Sequence, residues 1–482
     1  MSEIKLDAMW SGAKSRQIVE RIVVEGTLVL ETPAHLGGGD SDGATMTLLV
    51  DTLDETRPLL TGASIAGALR SYLWTRERGF GNEQSDKGRE VSAAALLFGT
   101  SRKDDDGDGD QSRLIVDDAV GNTSKVVYRD GVRLDEHSRT AAQDALYSVQ
   151  LWDAGTTFPL RFELLVSKED APQRDRLLLA LTTALDGLAK GEITFGARKN
   201  RGYGRVCVDG WRLRTYQLDT LDGLMAWLRE GGEPLSDADH VDDLATALGI
   251  NADFGDAREL FTLDAYFTLD GSLLIRSADD VTDMRQLSNC DGNPILSGTS
   301  IAGALRARAE KILNTLATDR ADNQVIIADL FGSPHDQKKD RRASRITVEE
   351  HFIEGGVTDL VQSRVSIDRF TGGALDTALF DQQPVFGSAE AGVRIRLQLQ
   401  QPKADEIGLL LLLLKDLWTG DLPLGGERSV GRGRLRGQHA ELTYGAQKWN
   451  VTANDDGLNV EPDRESLNSY LQALLNRLGV AL

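Results

Sequence analysis

The 482-residue sequence contains little cysteine and little histidine. Its two cysteines, Cys207 and Cys290, do not form a CxxC pair, and its six histidines show neither an HExxH motif nor the spacing of zinc ligands. A disulfide framework is therefore excluded, and a structural zinc site is not expected. Because disulfides are rare in reducing compartments, we expect a cytoplasmic protein.

Long apolar segments are missing as well. Residues 1–26 have no uninterrupted apolar core before a small-residue cleavage site, which argues against a secretory signal. The longest strongly apolar run, 407–414, is far shorter than the roughly 20 residues needed to cross a bilayer. This run predicts a buried helix, and we expect no membrane partner.

Positive charge is in deficit. The 54 Lys and Arg residues are outnumbered by 75 Asp and Glu residues, which gives a net charge of −21. At first sight this charge argues against a nucleic-acid partner, although local basic patches can still bind phosphates. The segment 191–197 is not a Walker A loop, since alanine stands where the lysine should follow, and it lacks the third glycine of a Rossmann fingerprint.

The sequence repeats itself. GASIAGALRSYL at 62–73 and GTSIAGALRARA at 298–309 are identical at seven consecutive positions. Further matches follow in the same order and at nearly the same spacing: 97–99 with 330–332, 112–118 with 344–350, 132–135 with 365–368, and 196–206 with 425–435. Such ordered blocks predict a tandem duplication.

The duplication divides the chain into a first domain (1–216), a helical linker (217–259), a second domain (260–445) and a C-terminal helical tail (446–482). Within each copy, alternating apolar residues predict strands, and longer segments of helical period predict two helices. Ser64 and Ser300 are the expected N-caps of the first helices. The order β-α-β-β-α-β predicts an α+β fold with a ferredoxin-like core and long insertions.

Two kinds of insertion are evident. The acidic loop 104–110 superficially resembles a calcium loop, but it lacks the bidentate glutamate and the flanking helices of an EF-hand. We interpret it as a solvated loop, with incidental cation binding as the alternative. The segments 126–150 and 364–384 combine a matched LD or ID pair with small and Thr-rich residues, a pattern that predicts a protruding hairpin in each copy.

The glycine-rich segments give the clearest binding signal. Glycine lets the backbone approach a phosphate closely, and arginine supplies bidentate contacts. The basic residues of these segments are Arg198, Lys199, Arg201, Arg205, Arg428, Arg432 and Arg434. They predict a phosphate-binding loop in each copy, and a tight turn with solvated arginines is the alternative.

Together these motifs resemble one family. G-x-S-I-A-G-A-L-R, LFG, SR-I-x-V-x-(D/E), I-D-R-x-T-G-x-A and a GxxRGYGR-type loop are similar to the RAMP superfamily, and more narrowly to backbone subunits of type III CRISPR–Cas effector complexes. A duplicated chain resembles the fused backbone subunits of type III-D variants. The segment 363–380 is the nearest match to the family hairpin, and 129–147 in the first copy is degenerate.

The resemblance implies two tandem RAMP domains, each with an RNA-recognition-like ferredoxin core and a thumb hairpin, at 132–145 and 365–378. It implies that the partners are the guide RNA (crRNA), the target RNA, a large polymerase-like subunit, other RAMP backbone subunits and a small subunit. Base pairing would read sequence, while the protein holds backbone and shape. The residues that it assigns to RNA binding are Ser64, Arg70, Arg198, Lys199, Arg201, Arg205, Ser300, Arg306, Arg369, Arg428, Arg432 and Arg434.

Active backbone subunits of this family cut the target RNA with an aspartate on the loop before the G-x-S-x-x-G helix. The resemblance places this role on Asp283, 14 residues before Ser297, together with binding of the divalent cofactor, Mg²⁺ or Mn²⁺. The carboxylate would help to position a ribose 2′-OH for attack on the adjacent phosphate. Asp279 and Asp280 are alternatives, and loop acids that serve only solubility are the competing interpretation.

The first copy departs from this pattern. At the spacing of the helix repeats, position 283 corresponds to Thr47, beside Met46, and neither is a metal ligand or a base. Asp40 and Asp42 on the same loop are the alternatives there. We expect one cleavage site per chain.

Two other functions stay open. The same architecture can serve as an inert guide-RNA scaffold. A RAMP nuclease that processes precursor crRNA, usually through a histidine acid/base, would use His35, but its repeat counterpart is Leu274 and no second catalytic histidine is evident nearby. We therefore expect His35 to be a packed bystander.

Overall fold

The computed structural model describes most of the chain. The described residues are 17–42, 45–81, 91–100, 110–134, 141–235, 240–277, 282–317, 320–333, 342–388, 390–454 and 457–480. Of the acidic loop 104–110, only Asp110 belongs to them. Asp279 and Asp280, two of the predicted alternatives at the catalytic position, lie outside the described residues.

The first domain and the linker combine strands of very different length with helices. In chain order their elements are β1 (Ile18–Leu30), β2 (Gly37–Asp42), β3 (Thr45–Leu48), β4 (Leu59–Leu60), α1 (Gly62–Arg78), α2 (Ala93–Phe98), β5 (Leu114–Val116), β6 (Ala119–Val120), β7 (Val126–Leu134), β8 (Ala141–Trp152), β9 (Thr157–Ser167), α3 (Arg174–Ala189), β10 (Val206–Gln217), α4 (Leu221–Glu230), β11 (His240–Val241) and α5 (Leu244–Ala247).

The second domain follows the same order and adds a C-terminal extension. Its elements are β12 (Leu260–Asp270), β13 (Ser272–Leu273), β14 (Arg276–Ser277), β15 (Met284–Gln286), β16 (Ile295–Leu296), α6 (Gly298–Leu316), α7 (Arg320–Phe331), β17 (Ile346–Val348), β18 (His351–Glu354), β19 (Gln362–Ile367), β20 (Ala374–Gln383), β21 (Val385–Phe386), β22 (Gly392–Gln400), α8 (Ala404–Trp418), β23 (Arg434–Tyr444), β24 (Gln447–Asn454), β25 (Gly457–Glu461) and α9 (Arg464–Arg477).

The central sheets have the strand order of a ferredoxin-like fold. The first runs β10-β1-β9-β5 and the second β23-β12-β22-β17, with antiparallel neighbours in both. Both orders are the fourth, first, third and second strands of a β-α-β-β-α-β unit. The predicted α+β fold with two ferredoxin-like cores is therefore confirmed.

Alternation of apolar residues determines which face of each sheet is buried. In β12 every second side chain is buried, because successive side chains of a strand point to opposite faces. Helices α1 and α3 bury apolar side chains in the core of the first domain, and α6 and α8 do the same in the second. The run 407–414 lies in α8, as predicted. Across the described residues, no helix is long and apolar enough to span a membrane.

The C-terminal region differs from the predicted helical tail. Strands β24 and β25 extend the second sheet beyond β23 before α9 begins. These strands were missed because their segments, QKWNVTAN and GLNVE, are short and mostly polar and have no counterpart in the first copy. α9 packs on α8, so the extension closes one side of the second core.

The first helix of each domain begins earlier than predicted. Thr61 and Ser297 are the N-caps, and their hydroxyl oxygens accept hydrogen bonds from the backbone N–H of Ser64 and Ser300, both at 3.3 Å. The prediction that Ser64 and Ser300 cap these helices was therefore wrong. They occupy the third helical position, whose N–H the cap residue satisfies.

We expect the Thr61→Ala variant to be less stable by about 1 kcal/mol, because the cap hydroxyl is lost and the N–H of Ser64 stays unpaired. The transition of the first domain in scanning calorimetry would shift down by about 2–4 °C. Thr61→Ser keeps the hydroxyl and should melt like the parent protein. Equal melting of Thr61→Ala and Thr61→Ser would contradict this assignment.

Candidate nucleic-acid interface

Each domain carries the predicted hairpin. β7 and β8 form the first thumb, and β19 and β20 form the second, each in a four-stranded sheet separate from the core sheets. At the tip of the second thumb, Asp368 accepts hydrogen bonds from the backbone N–H of Thr371 (2.8 Å) and Phe370 (2.6 Å), which order the turn and lower the pKa of its carboxyl. The turn therefore presents Arg369 and Phe370 outward from the domain.

The second thumb is apolar as well as exposed. The Phe370 side chain is 96% exposed, and Ile367 and Leu379 on the two strands are also exposed. Single exposed apolar residues are common, but a group of them on a projecting hairpin is typical of a contact surface. The first thumb likewise exposes Tyr128 and Val132.

The two glycine loops, 196–205 and 425–434, have the same backbone conformation. Each contains a short 3-10 helix, Lys199–Arg201 or Arg428–Val430. In each, the residue before this helix is left-handed, Arg198 with φ 59° and Glu427 with φ 56°. Glycines with positive φ follow at matching positions, so the glycine pattern encodes one turn used twice.

The first glycine loop lies in the junction between the domains. Arg205 is ion-paired with Glu31 (3.2 Å) in its own domain and with Glu349 in the second domain. Arg201 is largely buried beside Arg306, and burial together with this like charge lowers its pKa. Both arginines therefore contribute to the junction between the domains.

Two further basic residues of this loop face other surroundings. Arg198 donates a hydrogen bond to the Tyr147 hydroxyl (2.8 Å), with its guanidinium over the ring at 4.4 Å from the centroid. This contact fixes the loop to the first thumb. Lys199 is exposed.

The second glycine loop is fixed to the second thumb by a buried arginine. Arg432 is 2% exposed, donates hydrogen bonds to Gln362 (2.9 Å) and Gln382 (3.0 Å) and is ion-paired with Glu427 (3.0 Å). Burial lowers its pKa. Glu427 is also ion-paired with Arg364 on the thumb (3.1 Å). Arg432 therefore holds the second glycine loop against the second thumb.

Arg428 and Arg434 are the other predicted RNA-binding residues of the second loop. Arg434 is exposed and Arg428 is half-buried. Since neither is enclosed as Arg432 is, these two arginines are the better placed to meet a phosphate.

The remaining residues predicted to bind RNA lie near the starts of α1 and α6. Ser64 is exposed and Ser300 is half-buried. Arg70 lies over the Trp74 ring at 4.5 Å from its centroid, and its Nε is buried with no hydrogen-bond partner among the described residues. Its counterpart Arg306 donates to the carbonyl of Gly332 (3.2 Å).

Asp283, the predicted catalytic residue, lies at the base of the second thumb. It is exposed, and its Oδ2 accepts a hydrogen bond from the backbone N–H of Asp381 on β20 (2.8 Å). Met284, the next residue, pairs in register with Gln382. Asp283 is thus held against the second thumb, the hairpin that is predicted to contact RNA.

Strand register gives a different counterpart for Asp283 in the first domain. Met46 pairs with Val149 as Met284 pairs with Gln382, so Asp283 corresponds to Thr45 and not to Thr47. The shift arises because the connection from this strand to the helix differs in length between the copies. Neither threonine carries a carboxylate, so either alignment predicts that the first copy lacks the counterpart of Asp283.

The alternatives of the first copy lie on β2. Asp42 pairs with Thr45 across the β2–β3 hairpin, and Asp40 precedes it on the same strand. The backbone thus brings Asp42 next to the position that corresponds to Asp283.

The carboxylates near Asp283 bear on the predicted divalent cofactor. The described part of the chain contains no group of three or more His, Cys, Asp or Glu side chains arranged for a metal. However, Oδ1 of Asp381 is buried with no hydrogen-bond partner in the same described residues. Mg²⁺ typically uses one or two carboxylates together with substrate phosphates and water. Asp283 and Asp381 each carry a carboxylate, and the bond from the Asp381 N–H to Asp283 makes them neighbours.

His35, considered for the processing nuclease, is packed in the first domain. It is buried, and its Nδ1 lies 2.8 Å from the carbonyl oxygen of Gln150, to which it donates. The backbone N–H of Ala197 bonds to the His35 carbonyl as that of Gly426 bonds to Leu274, which confirms the repeat counterpart. His35 thus has the environment of a structural residue.

Sequence reasoning missed several residues of this region. Phe370 at the thumb tip was overlooked, although it lies inside the quoted hairpin motif and its position beside Arg369 was a usable signal. The buried ion pair between Arg129 and Glu350 (3.2 Å) across the domain junction was also missed. No sequence signal pairs residues so distant in the chain.

Comparisons with known proteins agree with this architecture. The sequence matches the RAMP superfamily over residues 27–207 and 266–436, which together make up more than half of the chain. Among curated proteins no significant match is found. Each matched region covers one thumb together with the two helices and the second and third strands of one ferredoxin-like core. The chain therefore belongs to the RAMP superfamily as a tandem of two RAMP domains, and this family indicates a CRISPR-associated RNA-binding subunit.

Proposed function

We propose that this chain is a backbone subunit of a type III CRISPR effector complex that holds the guide RNA and its target and cuts the target RNA at Asp283. The observation that carries the proposal is the hydrogen bond between Asp283 and the β20 backbone, which fixes an exposed carboxylate to the base of the second thumb. A carboxylate there would lie beside any RNA that the thumb displaces.

The RNA-binding surface in this proposal combines charge and stacking. Arg369 and Phe370 at the thumb tip would meet phosphate and base, and Arg428 and Arg434 would meet the neighbouring backbone. Because single-stranded RNA is bound by basic grooves with aromatic platforms, this small set can work on a chain of net charge −21. Guide–target pairing would supply the sequence specificity.

Cleavage in this proposal depends on geometry imposed by the thumb. Displacement of a base pair would splay the target backbone so that a ribose 2′-OH lies in line with the adjacent phosphate. Asp283 and Asp381 would hold a Mg²⁺ or Mn²⁺ ion, which supplies neutralisation of the developing charge on phosphate. The Asp283 side chain is kept in place by its bond to the β20 backbone while the RNA binds.

The decisive experiment assembles the chain with its guide RNA and the other subunits of its complex and adds a labelled matched target. We expect Mg²⁺-dependent cuts at fixed positions, and their loss with EDTA or with a mismatched target. A complex that binds the guide and target but leaves the target intact would favour the second candidate function.

That second candidate is an inert guide-RNA scaffold. The observation that favours it is that the Asp283 carboxylate already accepts a hydrogen bond from the Asp381 N–H, as an acid that orders the base of the thumb would. A scaffold would keep the thumb and the exposed arginines but would not need the carboxylate of Asp283.

We expect Phe370→Ala to weaken guide-RNA binding roughly 5- to 150-fold, because stacking of a base on an aromatic ring contributes about 1–3 kcal/mol. Filter binding of the full chain to a single-stranded guide measures the change. Phe370→Trp should bind at least as tightly as the parent protein. Leu53→Ala is the matched control, since Leu53 is 94% exposed on a turn of the first domain. Equal losses for Phe370→Ala and Leu53→Ala would contradict a stacking role.

A further inference from the structure

The two domains enclose a cavity of about 280 Å³ where they meet. The first glycine loop packs on the start of α6 and on β17 at this junction. The cavity is lined by residues of both domains, among them Pro33 and Arg205 of the first and His351 and Arg396 of the second. Small-molecule sites often lie between domains and occupy roughly 300–1,000 Å³, so this cavity suits a small ligand.

Two buried nitrogen atoms of the lining have no hydrogen-bond partner among the described residues, Nε2 of His351 and Nε of Arg396. Oε2 of Glu349 lies 3.7 Å from the first, and Oδ2 of Asp264 lies 4.0 Å from the second, both beyond hydrogen-bond distance. Buried polar groups are normally paired. An oxygen atom of a ligand would accept from Nε of Arg396 and, in the Nε2–H tautomer, from His351.

The charges around His351 favour an anion. The pKa of His351 is lowered to about 4, first by burial and then by the charges of Arg394 and Arg205. Each of these two charges outweighs the opposing charge of Asp264, although Arg394 donates two hydrogen bonds to that carboxylate (2.9 Å and 2.6 Å). The imidazole is therefore neutral at pH 7 and lies in a positive potential.

The rest of the lining offers apolar surface and access. Pro33, Ile295 and Phe352 supply the apolar side chains, and Phe352 is 50% exposed. The side chains of Arg394 and Arg396 are 37% and 32% exposed, so the cavity reaches solvent along them. Cationic groups beside an aromatic ring are the chemistry that binds a phosphate and stacks a nucleobase.

We propose that this cavity binds the phosphate group of a small molecule, with His351 and Arg396 as its hydrogen-bond donors. Inorganic phosphate and a mononucleotide share this chemistry, and the ring of Phe352 favours the nucleotide. The site lies apart from Asp283 and goes beyond the proposed RNA-guided function. A ligand held there contacts both domains, so its binding would stabilise their junction.

NMR of the full-length chain with ¹⁵N-labelled histidine rings tests the proposal, because the sequence contains only six histidines. The probes are inorganic phosphate and adenosine 5′-monophosphate (AMP), with adenosine as the phosphate-free control. We expect both probes to shift the ring signals of His351 and to raise its pKa, because a bound anion stabilises the imidazolium. Adenosine should leave these signals unchanged. The His351→Gln variant identifies them by their loss.

Isothermal titration calorimetry distinguishes the two sources of phosphate. AMP that binds at least about tenfold more tightly than inorganic phosphate would identify a nucleotide site, whereas equal affinities would identify a site for free phosphate. Arg396→Gln removes the Nε–H and the charge, and it should weaken binding of both probes at least about tenfold. Phe352→Ala should weaken only the binding of AMP. The melting temperature of each variant checks that it folds.

Arg436→Gln is the matched control. Arg436 lies on the same sheet and is ion-paired with Asp270 (3.1 Å), but it is not part of the lining, so this variant should bind both probes like the parent chain. Equal losses for Arg396→Gln and Arg436→Gln would contradict a specific site.

The proposal is overturned if millimolar phosphate and AMP both leave the His351 signals unchanged. Signals that move only with single-stranded guide RNA would also overturn it, and they would assign the cavity to the RNA-binding surface. Guide-RNA binding by the Arg396→Gln chain, which we expect to be unchanged, separates this failure from failure of the proposed function.

Discussion

We expect Asp283→Ala to remove one cut of the target RNA while the assembled complex still binds guide and target. The carboxylate is the exposed acid that the structure fixes to the second thumb, through the bond from the Asp381 N–H. Removal of a metal-positioning carboxylate costs several kcal/mol of transition-state stabilisation, or at least about a hundredfold in rate. Denaturing gels of end-labelled target, with the cut positions mapped, measure the loss.

Matched controls separate chemistry from charge and folding. Asp291→Ala removes an exposed carboxylate from the same connection before α6 and should leave every cut in place. The double variant Asp40→Ala/Asp42→Ala tests the first domain, which we expect to be inactive. Asp283→Asn keeps the size and the hydrogen-bond acceptor and should still lose the cut, because the negative charge is gone.

The opposite outcome is equally informative. If Asp283→Ala leaves all cuts intact at the parent rate, and another subunit is found to make them, the chain is a scaffold and Asp283 only orders the base of the thumb. Loss of guide binding in the same variant would instead indicate a structural role for the bond to β20.

The fold could be predicted from the sequence because the patterns that identify its strands and helices are local and occur in both copies. Alternation in β12 identifies its buried face, and the duplicated GxSIAGALR segments confirm each other's helix. The N-caps were assigned wrongly because Thr61 and Ser64 both carry hydroxyls, and only the backbone geometry decides which accepts the hydrogen bond. Strands β24 and β25 had no second copy to support them.

The roles of the glycine-loop arginines could not be read from the sequence. Arg205, Arg432 and Arg434 all lie in basic, glycine-rich segments. Arg205 and Arg432 are nevertheless paired with carboxylates, and of the three only Arg434 is exposed. Glu349, the partner of Arg205, is remote in the chain, so the sequence does not show that the two side chains pair. A high local density of arginine therefore predicts a phosphate site and a domain junction equally well. The predicted RNA contacts at these positions stay predictions.

We expect Glu350→Ala to destabilise the junction between the domains by about 3–5 kcal/mol, the cost of leaving a buried charge without its partner. Glu350 receives two hydrogen bonds from Arg129, at 3.2 Å and 3.4 Å, and both side chains are 5% exposed. Burial raises the pKa of the Glu350 carboxyl, and the charge of Arg129 opposes this rise. Urea unfolding of the full chain, with limited proteolysis to follow separation of the domains, measures the effect.

The double variant Arg129→Met/Glu350→Leu distinguishes a lost attraction from an unpaired charge. Replacement of both partners by apolar residues of similar size is often neutral or stabilising, so this variant should recover most of the stability that Glu350→Ala loses. Glu354→Ala, at an exposed carboxylate on β18, is the control and should stay within about 0.5 kcal/mol of the parent chain. If Glu350→Ala also stays within that margin, the two domains are held together mainly by the glycine loop on α6. The ion pair would then serve only to fix the register of that contact.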